Sequence, residues 1–258
     1  MCFDLDSQPP VQPTLGSDAR GETQTLTSAD GTKFAVYHAH ADSARYNGAG
    51  IVILPDVRGL FQFYMDLALR FAEAGIEAIT IDYFGRTAGM ATRDDSFEYM
   101  PHVQQTKFAQ IRDDVSAAIA QLRSSPNAPK AIFTVGFCFG GSNSFQQAAN
   151  HHGLAGAIGF YGRPATGGFD GAPAPVNRVS EFDCPILAFF GGADQGIPVE
   201  QAHQFDEAMT KAGIEHEVII YPGAPHSFFD RKYEEFAKES EDSWSRTLAF
   251  ISAHTPQA

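Results

Sequence analysis

The stretch Val135-Gly136-Phe137-Cys138-Phe139-Gly140-Gly141 ends an apolar run and opens a segment of small and polar residues. A strand that runs into a helix through G-x-[nucleophile]-x-G turns so tightly that glycine must flank the turn. The central side chain then projects above the strand end. Here that side chain is the thiol of Cys138, set at a helix N-terminus, where the dipole and free N–H groups favour a thiolate. A lone cysteine is more often a small buried hydrophobe. The glycines at 136, 140 and 141 argue for a nucleophile instead.

Outward from this turn, short apolar runs alternate with helical periodicity. Strands are predicted at Ile51–Leu54, Ala78–Ile81, Ile132–Phe137, Leu154–Phe160, Pro185–Phe190 and Val218–Tyr221. Phe108, Ile111, Val115, Ile119 and Leu122 recur at spacings of three and four and make an amphipathic helix. Leu67–Phe71 belongs to a second helix that stops at Gly75. Val199–Ala212 and Asp230–Ala253 read as two more, the last with Tyr233, Phe236, Trp244, Leu248 and Ile251 on one stripe. Buried strands separated by helices imply a mostly parallel sheet covered on both faces, an α/β architecture. TQTLTS and KFAVYHAHA flank Asp30-Gly31 and predict an antiparallel hairpin leading into it. Residues 1–20, with Pro9, Pro10 and Pro13, read as an extended arm, and 21–258 as a single domain.

A thiol nucleophile needs a base, and the base needs an orienting acid. The run at 185–190 ends in GGADQGIP and the run at 218–221 in PGAPHSFFD, which puts Asp194 and His226 just past consecutive strands. Open α/β sheets build their sites at these carboxyl ends. The order nucleophile, acid, histidine completes a candidate triad of Cys138, Asp194 and His226. An oxyanion hole requires two backbone N–H donors. Phe139, after the nucleophile, supplies one, and Val57, in the loop after Ile51–Leu54, the other.

The net charge of −13 offers no attraction to nucleic acid or to an anionic membrane. No apolar run is long enough to span a bilayer, and the start, MCFDLDSQPP, lacks the basic and apolar regions of a signal peptide. Cys2, Cys138 and Cys184 are odd in number and lack zinc-like spacing, so reduced thiols in the cytoplasm are expected. His38 and His40 alternate on one strand face as half a metal site, but no partner cluster accompanies them in sequence. No metal and no cofactor are expected. His151-His152 closes a helix, Cys184 is structural, and Asp94-Asp95 is a solvated loop.

Together these residues resemble the dienelactone hydrolase family, carboxymethylenebutenolidase-like enzymes of the α/β-hydrolase fold. The likeness spans about residues 22–253 and is carried by ILPDVRGL, IDYFGRTAG, GFCFGG, FYG, GGADQGIP and GAPHSFF. It implies an α/β-hydrolase sheet with helices on both faces, and a cysteine hydrolase that opens small esters or enol lactones through a thioester. It also implies further contacts. Asp56 stands where the family has an acid touching the resting thiol, although better-known members carry glutamate there. Arg86 matches an arginine that holds the substrate carboxylate, and Tyr161 a tyrosine near the pocket. The family's second such arginine lies four residues after the histidine; Asp230 stands there, with Arg231 one further on. The expected partner is a small ester or lactone, and the expected state a monomer or small homo-oligomer. The alternatives are a redox or stress protein with an elbow cysteine, and a broader esterase acting on bulky or phosphorus esters as side substrates.

Overall fold

A computed structural model of the chain describes residues 6–91, 93–232 and 234–256. The first strands are β1 (Arg20–Thr27), β2 (Lys33–His40) and β3 (Ala49–Leu54), followed by α1 (Gln62–Glu73) and β4 (Glu77–Ile81). A short α2 (Tyr99–Val103) and a long α3 (Phe108–Ser124) lead to β5 (Ala131–Phe137), α4 (Phe139–Gln147) and β6 (Gly156–Phe160). The chain continues through β7 (Ile186–Gly191), α5 (Val199–Ala212), β8 (His216–Tyr221) and α6 (Ala237–Ala253). The strands form one sheet in the order β1-β2-β4-β3-β5-β6-β7-β8. β2 pairs antiparallel with both β1 and β4, and every pair from β4 onward is parallel.

Strands β3 to β7 are buried at every residue, the mark of parallel strands covered on both faces. The hairpin turns where Asp30-Gly31 is expected to turn it: Gly31 has φ +84°, and the Ser28 N–H donates to the Thr32 carbonyl. In α3 the residues Ile111, Val115, Ala118, Ile119 and Leu122 face the core, as their spacing predicts.

The last helix begins at Ala237, not Asp230. The reason is local. The Asp230 carboxylate accepts the N–H groups of Lys232 and Gln8, which holds residues 230–232 in a turn that also pins the N-terminal arm. The arm is tied down again where the Thr14 N–H donates to Glu73. Tyr233 of the predicted stripe lies outside the described residues, as does Cys2; Trp244 packs on Phe71 of α1, ring centroids 4.7 Å apart.

Beneath the turn that carries Cys138 lies an aromatic stack. Phe137 stacks on Phe160 at 4.7 Å, and Phe160 meets Phe189 at 4.6 Å and Phe229 at 5.0 Å. Burying each such ring contributes about 2–3 kcal/mol. This gives the Cys138 turn a packed aromatic floor. The loops that follow β3, β5, β7 and β8 all open at the same edge of the sheet. No described helix is long and apolar enough to cross a membrane.

Candidate active site

Cys138 has φ 56° and ψ −112°, a backbone conformation that a residue with a Cβ adopts only at a cost. Two hydrogen bonds hold it there: its N–H donates to the Phe160 carbonyl at 3.0 Å, and its carbonyl accepts the Ser142 N–H at 3.1 Å. The flanking glycines are required by contact. A Cβ on Gly136 would lie 1.9 Å from the Gly140 carbonyl oxygen, and one on Gly140 would lie 1.9 Å from that of Leu54.

The loops after β7 and β8 are joined by backbone hydrogen bonds, Gly192 N–H to Tyr221 O and Ala193 N–H to Ala224 O. These bonds set Asp194 against His226. Asp194 Oδ1 accepts the N–H groups of Gly196 (2.8 Å) and Ile197 (3.2 Å), which leaves Oδ2 for His226 Nδ1 at 2.6 Å. Burial pushes the Asp194 carboxyl up, but the hydrogen bond and charge of His226 and the two backbone N–H groups outweigh it. The carboxyl ends below its ordinary value and stays ionised. With Nδ1 engaged, the imidazole Nε2 lies on the side away from Asp194.

Cys138, His226, Val57 and Phe139 line one cavity of about 700 Å³. Phe139 is the first residue of α4, where helix N–H groups have no intrahelical acceptor. Val57 sits in the turn closed by the Gly59 N–H on the Asp56 carbonyl. Apolar side chains form much of the cavity wall, among them Met100, Val103, Phe108, Ile111 and Phe169.

The dienelactone hydrolase family model matches residues 34–255. The chain belongs to the dienelactone hydrolase family. As a dienelactone hydrolase relative it is 30% identical over 258 residues to a carboxymethylenebutenolidase of Rhodococcus opacus, covering 97% of this chain and 96% of that one. Among solved structures it is similar to a dienelactone hydrolase-like promiscuous phosphotriesterase from metagenomic libraries. The TM-score is 0.74 at 19% identity, covering 93% of this chain and 100% of that one. It is similar too to a Mycobacterium tuberculosis puromycin-hydrolyzing peptidase, with a TM-score of 0.71 at 19% identity, over 94% of this chain and 41% of that one. These two likenesses establish the α/β-hydrolase fold.

Against the dienelactone hydrolase pattern, the structure moves the charged residues. Arg86 does not line the cavity. Its guanidinium is bound by both oxygens of Asp114 (2.7 and 2.8 Å), by Asp30 (2.8 Å) and by Ser28 (2.7 Å), joining the hairpin tip to α3. Arg231 also lies off the cavity, donating to Gln8 Oε1 at 2.6 Å. Tyr161 is fully buried with its ring 5.0 Å from that of His226, beneath the site rather than in the cavity wall. The arginine that does line the cavity is Arg163, exposed, with its N–H on Ser142 Oγ at 2.7 Å. Its place two residues past Tyr161, just beyond the end of β6, is the signal that could have found it.

Asp56 is fully buried and does not line the cavity; its carboxylate accepts the Arg58 N–H at 2.8 Å and lies 3.3 Å from Arg58 Nη2. Burial pushes its carboxyl up to about 6, against the pull of Arg58. In the unfolded chain this carboxyl ionises near pH 4. The folded chain therefore holds the extra proton between about pH 4 and pH 6, and stability falls as pH rises through that window. Asp56→Asn is expected to leave stability unchanged near pH 4 and to raise it at pH 8 by about 3 kcal/mol. Urea unfolding at the two pH values checks this; equal effects at both would mean that the carboxyl titrates normally.

Proposed function

We propose that the chain hydrolyses small esters or enol lactones through a thioester on Cys138. The observation that carries this is a thiol at a strained strand-to-helix turn, opening into the same cavity as an imidazole fixed by a 2.6 Å bond to Asp194. Cys138 Sγ attacks the carbonyl carbon while His226 Nε2 takes the thiol proton. The N–H groups of Val57 and Phe139 hold the developing oxyanion. His226 returns the proton to the leaving oxygen as the intermediate collapses to the thioester. Water then attacks, His226 takes its proton, and the thiolate departs to give the acid. The chemistry requires a reduced thiol, which fits a cytoplasmic enzyme.

A thiolate leaves a tetrahedral intermediate more readily than a simple alkoxide or an amide nitrogen. A cysteine enzyme therefore tends to lose its acyl group backward unless the competing leaving group is stabilised. An enol lactone expels a delocalised enolate, so it goes forward. The redox alternative has no comparable support, because it assigns no role to the Asp194–His226 pair.

The apolar walls favour a substrate with a hydrophobic body, and Arg163 offers its acidic or carbonyl-bearing end a guanidinium. Arg163→Ala is expected to raise KM about tenfold for a carboxylate-bearing enol lactone, with little change for its neutral analogue. Arg86→Ala should not discriminate between the two. Steady-state kinetics on the matched pair decide it: a selective loss in Arg86→Ala and none in Arg163→Ala would return the anion clamp to Arg86.

A further inference from the structure

At the opposite end of the sheet from Cys138, β2 ends in His38-Ala39-His40, which puts both imidazoles on one face of the strand. β2 pairs antiparallel with β4 through Ala39↔Ala78, so His40 comes to lie across from Glu77, the first residue of β4. Glu77 Oε1 is 2.9 Å from His38 Nε2 and 2.8 Å from His40 Nδ1. Its other oxygen accepts the Ala41 N–H at 3.0 Å and Asn127 Nδ2 at 3.1 Å. The His38 and Glu77 side chains are 1% and 0% exposed, while that of His40 is 20% exposed and reaches solvent. Among the described residues no other three His, Cys, Asp or Glu side chains converge this closely, their ligand atoms all within 4.8 Å of one another.

We propose that His38 Nε2, His40 Nδ1 and Glu77 Oε1 form a binding site for a borderline divalent cation of the zinc type. Two neutral imidazoles and a carboxylate are a donor set that zinc accepts. In a tetrahedral site with bonds of about 2.1 Å, ligand atoms stand about 3.4 Å apart. The present 2.8 and 2.9 Å contacts open by about half an ångström, and the two imidazole nitrogens, within 4.8 Å of each other, settle to the same spacing by side-chain rotation. The outer contacts are those of a held ligand set. Ala41 and Asn127 fix the back of the carboxylate. Glu22 Oε1 stands 3.6 Å from His40 Nε2, which carries the ring proton once Nδ1 binds the cation. His38 moves its proton to Nδ1, which is buried with no hydrogen-bond partner among the described residues, and this lowers the affinity. Water completes the coordination on the exposed His40 side. A cation here clips β2 to β4 and, through Asn127, to the segment before β5; it takes no part in the chemistry at Cys138.

The test titrates zinc(II) and cobalt(II) into the Cys138→Ala chain, in which the cavity thiol cannot compete as a ligand. Calorimetry should give one equivalent per chain, and cobalt(II) should show visible d–d bands without thiolate charge transfer. Binding should weaken by at least about tenfold in both His40→Ala and Glu77→Gln made in the same background. His40 is partly exposed, so its variant keeps the test valid if Glu77→Gln disturbs folding. No binding, or binding indifferent to these substitutions, overturns the proposal. So does binding seen only when Cys138 is present, which would assign the metal to the cavity thiol.

Discussion

Cys138→Ala is expected to lower kcat/KM for ester and enol-lactone hydrolysis by at least about 10⁴-fold while the chain stays folded. The size of the effect follows from what the thiol does. In the proposed mechanism no acyl-enzyme forms without it, and the N–H groups of Val57 and Phe139 and the cavity walls are left only to bind the substrate. Stability is not at stake, because the thiol is partly exposed and the turn is held by backbone hydrogen bonds that alanine keeps. Kinetics with matched circular dichroism spectra check both halves, and wild-type turnover in the variant would remove Cys138 from the reaction. Cys138→Ser makes the finer test. The leaving-group argument expects the serine variant to lose its advantage on enol lactones relative to simple alkyl esters. Equal or faster turnover on both kinds of substrate would defeat that argument.

Gly140→Ala is expected to cost more than about 4 kcal/mol, a large part of a typical domain's stability. The new methyl carbon would sit 1.9 Å from the Leu54 carbonyl oxygen and 2.3 Å from that of Pro55. Both are backbone atoms at the end of β3, so neither can rotate away. Relief requires α4 to move off the sheet, which opens the aromatic floor and carries Cys138 out of line with His226. Gly89→Ala provides the comparison: its Cβ meets nothing within 4 Å, and only the positive φ of +64° is penalised, at about 1 kcal/mol. Urea midpoints for the pair separate backbone collision from backbone preference. A Gly140→Ala chain as stable as the Gly89→Ala chain would show that α4 shifts freely.

The parts of this molecule that were legible in its sequence are those whose constraint is local. Glycines around Cys138, apolar runs ending in Asp194 and His226 loops, and the three-four spacing of α3 each report a conformation that the neighbouring residues enforce. The start of α6 was misread because the Asp230 turn depends on Gln8, far away in sequence. The ion pairs of Arg86 were out of view for the same reason. Its partners Asp30 and Asp114 are 56 and 28 residues away, and nothing beside Arg86 shows that they will meet it. Glu77 lies 37 residues from His40, so the histidine pair looked solitary until strand pairing supplied its acid. Motifs name the chemistry a residue type can perform; only the register of the sheet decides which copy is turned to face the substrate.

The left-handed backbone at Cys138 has one more consequence. Its cost belongs to the main chain, so every side chain placed there except glycine carries it, whether or not that side chain reacts. A library of this chain selected for heat resistance would therefore drift toward glycine at 138 and emerge sturdier and inert. Robustness and the reactivity proposed for Cys138 are therefore opposed at a single residue.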